Sequence, residues 1–430
     1  MPIPRRFSTL ARRLSPILDL FPESASVAGG ELVIGGVPAT VLGARYGTPL
    51  LVYCERTLVA QARAYQDVDP DALVVYGTKA FPNVAVLRLF GGLGLGADVS
   101  TLGELEFALR AGVRGVRIFF HGNNKSDAEL RAAAEAGATV VLDAPGELER
   151  AAAARVDRAL VRLNPGVEAE THGSIRTAHA ESKFGLDPDQ ALDVIARSRG
   201  LLPVAGVHIH IGSQLVRADE SLAAVDRLAA FCARADAELD WRPETIDLGG
   251  GVGVRHAADD QVPTVSEFTG ALVARLRERW AAPARLVFEP GRSLVGRAGV
   301  TLYTVGARKR SGGVDYVAVD GGMSDNPRPQ LYSARYEALL ANCPDEPPAE
   351  TYRVAGKHCE SGDVLIEAVR LPEPQRGDTL AVPATGGYTL AMSSNYNGVT
   401  RPAAVLVADG DARLIRRRET IDELLGFEVG

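Results

Sequence analysis

The chain has 430 residues, 46% hydrophobic and 23% charged, with a formal net charge of −7. That length exceeds what one hydrophobic core serves, so two domains are expected; the acidic balance, relieved only by the short run Arg308 to Arg310, argues against nucleic-acid binding, and no uncharged apolar run is long enough to span a bilayer. Four widely spaced cysteines (Cys54, Cys232, Cys343, Cys359) form neither a zinc pattern nor a disulfide framework, which suits a reducing cytoplasm and leaves no metal centre expected.

At the N-terminus, Arg12 and Arg13 interrupt the apolar stretch after Phe7 before it reaches the length of a signal peptide. Segments 31–34 and 38–42 read as a hairpin. From residue 72 to 289, short β-branched runs alternate with amphipathic Ala- and Leu-rich stretches. Strands are expected at 73–76, 95–98, 116–120, 139–142, 159–163, 204–210, 245–248 and 286–289, with helices such as 102–111, 127–136 and 221–239 between them. Eight βα units favour a closed (β/α)8 TIM barrel over an open sheet. After residue 297 the pattern changes to strands at 300–305, 316–319, 364–369, 379–382 and 404–407, separated by Gly, Pro and Asp turns. The expected organisation is a barrel over 46–296 and a mainly β domain, sandwich- or barrel-like, built from 22–45 plus 297–430.

In such a barrel the catalytic groups follow the strands. Here the strands are followed or ended by Lys79, Asp98, His121 with Asn123, Asp143, Asn164, His210 with Ser213, Gly249 to Gly251, and Glu289 with Arg292. Asp143 and Asn164 also suit plain turns and helix caps. The triplet Gly249, Gly250, Gly251 lets backbone amides approach an anion, and it follows the seventh strand, where such barrels bind phosphate. Of His208 and His210, only one is expected to face the mouth, and His210 is favoured as a ring that stacks on an aromatic ligand. Glu289, ahead of Pro290, Gly291 and Arg292, has the chemistry to keep a pyridine nitrogen protonated. Lys79 is one of only five lysines. Burial is expected to strip its proton, as imine formation requires.

These residues sit in the motifs YGTKAF (76–81), FHGNNKS (120–126), THGSIRTAHAESKFG (171–185), GVHIHIGSQ (206–214), DLGGGVG (247–253), FEPGRSLVG (288–296), VDGGMSDNPRPQLY (319–332), CESGD (359–363) and GGYTLAMSSNYN (386–397). In that order and spacing the chain resembles the fold type III pyridoxal-phosphate decarboxylases, and among them the diaminopimelate decarboxylases, over nearly its whole length. The resemblance implies that Lys79 holds pyridoxal 5'-phosphate as a Schiff base, that His210 stacks on the ring and that Glu289 meets its nitrogen. It places Ser213, Gly249, Gly250, Gly251, Gly291 and Arg292 around the phosphate, and Arg292, Arg328, Tyr332, Glu360 and Tyr388 around an amino-acid substrate, with Tyr388 also reaching the cofactor. It further implies a homodimer in which Cys359 and Glu360 complete the partner's site, Cys359 returning the proton after carbon dioxide leaves. The implied reaction is decarboxylation of meso-2,6-diaminopimelate to L-lysine, the last step of lysine biosynthesis, in the cytoplasm. Phe81, Thr101-Leu102 and Gly387 depart from the usual pattern. They leave open another amino acid as substrate, of ornithine or arginine type or carrier-linked; racemisation or a silent partner-binding homologue are the more distant readings.

Overall fold

The computed structural model describes residues 16–167 and 182–430. The stretch 1–15, and with it the N-terminal reading, and residues 171–181 of the motif at 171–185 lie outside them. Eight parallel strands, Leu73–Gly77, Gly96–Val99, Ile118–Phe120, Thr139–Leu142, Ala159–Arg162, Val204–His208, Thr245–Asp247 and Arg285–Phe288, pair in chain order. The last pairs with the first, Val287 opposite Leu73, so the sheet closes as a barrel. The intervening helices start where the sequence supplies an oxygen for their free N–H groups. Asn83, Thr101, Ser126, Asp187 and Thr264 each accept from the first turn of the helix that follows.

Strand alternation sorts the barrel's contents. Leu73, Val75, Phe119, Val141, Leu160 and Val287 form a small cluster of their own inside the barrel. Their neighbours Val74, Tyr76, Ile118, Phe120, Val140, Leu142, Val161 and Phe288 pack outward into the large core shared with the helices. One step of two residues beyond the inner layer come Gly77, His121, Asp143, Arg162 and Glu289. The same alternation that buries valine and leucine below therefore delivers polar groups to the strand ends above.

Nine of the remaining strands form a mixed sheet. Its spine is Gly299–Ser311, whose first half pairs antiparallel with Leu50–Cys54 and Thr379–Val382. Past a register shift between Val305 and Arg308 it pairs with Val314–Val319 instead. Glu350–Ala355 and Val364–Leu371 extend one end, and Ala403–Ala408 with Asp411–Arg416 the other. A three-stranded sheet, Ser26–Ala28, Glu31–Ile34 and Val37–Pro38, packs against it: Leu32 and Ile34 share a core with Leu50, Val52, Val300 and Val405, and the Leu32 N–H donates to the Ala341 carbonyl at 2.7 Å.

Two expectations change. Segment 38–42 is not a strand: pairing stops at Pro38, whose missing N–H cannot continue a ladder, and Ala39–Tyr46 is a helix burying Ala39 and Leu42. Leu50–Cys54, expected within the barrel segment, pairs in the mixed sheet, where all five residues are buried. Tyr53 of this strand stacks on Phe81 at 4.4 Å between ring centroids, tying the mixed sheet to the turn that carries Lys79. Phe81 is thus a packing residue.

Candidate active site

At the C-terminal mouth of the barrel lies a cavity of about 170 Å³, lined by Lys79, Asp98, His210, Ser213, Gly251, Glu289, Gly291, Arg292, Tyr332 and Tyr388 among others. Lys79 follows the first strand in a short 3-10 turn fixed by two neighbours: Thr78 Oγ1 donates to the Asp98 carbonyl at 2.6 Å, and the Gly77 N–H donates to the Pro290 carbonyl at 3.0 Å. Its side chain is exposed, into this cavity. Enclosure by protein opposes charge on the amine, but Asp98, then Tyr388 and Glu289, outweigh it and raise the Lys79 pKa above its ordinary value. The expectation that burial frees the amine of its proton is therefore corrected. In the chain alone, neighbouring carboxylates hold Lys79 as an ammonium.

Glu289 follows the eighth strand and is buried. Burial alone would raise its pKa; the charge of His121 first, then His208, reverse that and hold it well below the usual carboxylate range. One oxygen, Oε2, is 3.0 Å from His208 Nε2. The other, Oε1, lies 2.7 Å from His121 Nε2 without the alignment of a hydrogen bond, and has no hydrogen-bonding partner among the described residues. Residues two apart on a strand share a face, so both His208 and His210 turn inward, correcting the expectation that only one does. They differ in depth. His208 is buried beside Glu289 and is pulled down to about 4, by burial first. His210 lines the cavity, and its Nδ1 accepts from the Gly250 N–H at 3.2 Å; burial, then Lys79, keep its ring neutral.

The glycine triplet divides. Gly251 lines the cavity, at a φ of 117°. Gly249 and Gly250 do not line it: a Cβ on Gly250 would stand 2.1 Å from the Glu289 carbonyl, and one on Gly249 2.4 Å from the Ile209 carbonyl. They are small because neighbouring strand ends press on them. Arg292 is buried, donates through Nη2 to Ser213 Oγ at 3.1 Å, and lies 4.6 Å over the Tyr388 ring. Its Nε and Nη1 have no partner among the described residues. Burial, then Arg328, lower it to about 10.

Tyr388 itself holds a φ of 59°, a left-handed conformation that costs an aromatic residue about 1–3 kcal/mol. Its N–H donates to the Ala80 carbonyl at 2.9 Å, which fixes it next to the Lys79 turn. No pattern in the sequence announces that backbone.

Arg328, Cys359 and Glu360 do not line the cavity. Arg328 is buried behind it, with Nη1 2.8 Å from His256 Nε2 and a hydrogen bond to Tyr336 Oη. Cys359 and Glu360 are exposed. Their loop is nonetheless anchored, because the buried Asp363 accepts from the N–H groups of Met323 at 2.7 Å and His358 at 2.9 Å. In the sequence Asp98 and His121 stand only as strand ends, and Asp247 carries no signal of a role. All three are buried next to Glu289 or Lys79, and the step-of-two rule along each strand would have found them.

A flat aromatic ring bearing a basic nitrogen and an anionic group fits this cavity: Glu289 Oε1 is an unfilled acceptor, Arg292 offers two unfilled donors, and Lys79 supplies an amine. The comparisons with known proteins agree. Residues 55–296 match the family described as pyridoxal-dependent decarboxylase, pyridoxal binding domain, which makes the chain a pyridoxal-phosphate enzyme of the barrel type. Likeness extends well past that domain. The chain is 41% identical to the diaminopimelate decarboxylase of Halalkalibacterium halodurans, covering 93% of this chain and 95% of that one, and 43% identical to that of Actinosynnema pretiosum subsp. auranticum, covering 95% of each. A solved diaminopimelate decarboxylase from M. jannaschii, in complex with L-lysine, superposes with a TM-score of 0.89 at 31% identity over 95% of this chain and 98% of its own. The chain belongs to the diaminopimelate decarboxylase family.

Proposed function

We propose that this chain decarboxylates meso-2,6-diaminopimelate to L-lysine and carbon dioxide with pyridoxal 5'-phosphate, the last step of lysine biosynthesis. The observation that carries the reading is the convergence of Lys79, His210, Glu289 and the doubly unpartnered Arg292 on one cavity at the barrel mouth. Lys79 would hold the cofactor, His210 would lie against its ring, Glu289 would meet its nitrogen, and Ser213, Gly251 and Gly291 would surround its phosphate. When bound, the cofactor supplies the electron sink that lets the α-carboxylate leave as carbon dioxide.

The chain's own groups do the rest. Asp98 and Glu289 hold the Lys79 ammonium until its proton is passed on, which makes loading of the site dependent on pH. Arg292 and Tyr332 face the substrate side, with Arg328 adding a second buried guanidinium behind them. Two cations suit a substrate with a carboxylate at its far end, which ornithine and arginine lack.

Cys359 and Glu360 are proposed to act in a second copy of the chain. They are exposed and off this cavity, yet their loop is pinned by Asp363, as a loop presented to a partner needs to be. The thiol would return the proton after carbon dioxide departs, and Glu360 would meet the distal ammonium. All four cysteines are unpaired, and no described helix is long and apolar enough to cross a membrane, which supports work in the cytoplasm.

The test is product identification after incubation with meso-diaminopimelate and cofactor, beside ornithine and arginine. L-Lysine and carbon dioxide from diaminopimelate alone support the reading. Preferred turnover of ornithine or arginine would overturn the substrate assignment, and racemised substrate without carbon dioxide would overturn the reaction.

A further inference from the structure

The groups around Glu289 make an uneven charge cluster that the proposed reaction does not by itself explain. Three buried carboxyl groups, Asp98, Asp247 and Glu289, stand close enough to disfavour one another's ionisation. Burial, then the Glu289 charge, push the Asp247 carboxyl well above the usual range, while its Oδ1 accepts from the Gly249 N–H at 2.8 Å. His208 stays neutral and is spent on Glu289 Oε2.

Of the two histidines beside Glu289, His121 reaches both Asp98 and Glu289. Its Nε2 is 2.7 Å from Glu289 Oε1 and 3.8 Å from Asp98 Oδ1. Burial opposes its charge, but Glu289 and then Asp98 overcome that and raise its pKa. The other groups that face it are the His208 ring, set edge-on at 4.9 Å, and Arg162, whose guanidinium is already paired with Asp143 at 3.1 Å. Lys79 reaches Asp98 and Glu289 too, but on the functional reading above its amine is taken up by the cofactor. At 2.7 Å the contact between His121 and Glu289 engages one lone pair of Oε1, so it stabilises the charge and leaves the second lone pair for another donor.

We propose that His121 is a positioning residue, the shared counter-ion of Asp98 and Glu289, which keeps Glu289 an ionised acceptor with Oε1 open for the ring nitrogen of the cofactor. The inference rests on the functional reading above. It gives His121 a role in the electron-sink capacity of the site although it does not line the cavity. A buried carboxylate stripped of its cation takes up a proton, and a protonated Glu289 no longer holds the ring nitrogen in its protonated state.

The experiment uses nitrogen-15-labelled pyridoxal phosphate bound to the wild-type chain and to His121→Phe and His121→Gln, with the ring-nitrogen resonance and the cofactor Kd followed over the neutral pH range. In the wild type the ring nitrogen stays protonated throughout. His121→Phe, which keeps ring volume but has neither charge nor donor, is expected to lose that proton within the range and to bind cofactor about tenfold or more weakly, the scale of one interaction with a buried charge. His121→Gln restores a donor without charge, so affinity recovers while protonation does not. A protonated ring nitrogen in His121→Phe overturns the proposal and leaves His121 a packing residue. Should that variant not fold, the side-chain nitrogen resonances of His121 in the cofactor-free wild type decide: an imidazolium at neutral pH supports the proposal and a neutral ring overturns it. Failure of the wild type to bind the cofactor at all defeats the functional reading instead, and the histidine resonances still judge the counter-ion.

Discussion

Arg292 is built for a ligand at the expense of the chain that carries it, and replacing it separates the two. Burial and the nearby Arg328 bring its pKa to about 10, which against a guanidinium's ordinary range corresponds to a cost of about 3 kcal/mol for the charge. The sign follows from the direction: a base whose folded value is depressed burdens the folded state fully below that value, hence at neutral pH, and the burden is relieved as pH rises through about 10. Against this stand one hydrogen bond to Ser213 and one contact with the Tyr388 ring, each worth about 1 kcal/mol. Arg292→Met, of similar length and uncharged, should leave the cofactor-free chain at least as stable as wild type, with a net gain of about 1 kcal/mol. The same change removes two unpartnered donors, worth about 1.5–3 kcal/mol each to an anion, so kcat/KM for diaminopimelate should fall by about 100-fold or more. Thermal unfolding of the cofactor-free protein and steady-state kinetics read the two effects. A variant that loses several kcal/mol of stability while keeping wild-type kcat/KM would refute the reasoning.

Further expectations concern other parts of the molecule. Asp325 is raised to about 7 by burial, despite hydrogen bonds from Tyr303 and the Gly322 N–H. A carboxyl with a raised folded value contributes stability at acid pH that is lost as pH climbs from about 4 to about 7. Asp325→Asn should therefore gain on wild type in unfolding midpoint over that window and level off above it; parallel profiles would contradict the assignment. Gly387→Ala should be tolerated, because its Cβ would meet Val295 and Arg292 at ordinary contact distances of 3.5 and 3.7 Å. Gly386→Ala should cost soluble protein, its Cβ falling 1.9 Å from the Val295 carbonyl. Equal yields and unfolding midpoints for the two would refute the packing argument. Finally, Cys359→Ala and Lys79→Ala, each impaired alone, should recover activity when mixed if one chain's Cys359 serves another chain's Lys79, and no recovery would count against a shared site.

Much of the barrel was legible because its strands are short β-branched runs whose neighbours in space are their neighbours in sequence. The expected strand at 139–142 and the helices at 102–111 and 127–136 coincide with the observed Thr139–Leu142, Leu102–Ala111 and Asp127–Ala136. The mixed sheet was less so. Leu50–Cys54 is buried on both faces and shows no alternation, and its partners lie some 250 and 350 residues away, so nothing local told it from a barrel strand. Glu350–Ala355 and Asp411–Arg416 carry charged and exposed residues that masked their ladders.

At the site, residue types after strands pointed to Lys79, His210, Glu289 and Arg292, all of which line the cavity. Residue type alone misleads where the answer depends on the balance of neighbours. Burial alone argued for a neutral Lys79, but Asp98 and Glu289 turn the sign. A glycine triplet argued for three phosphate contacts, but only Gly251 reaches the cavity, the other two yielding to adjacent strand ends. The left-handed Tyr388 and the ion pair of His121 are three-dimensional facts with no one-dimensional signature.

The most direct measurement is to mix the chain with pyridoxal phosphate, reduce it with borohydride, and map the phosphopyridoxyl group by peptide mass spectrometry. The account predicts a single stoichiometric modification at Lys79. A group found on Lys125, Lys183, Lys309 or Lys357 instead, or no modification, would contradict it.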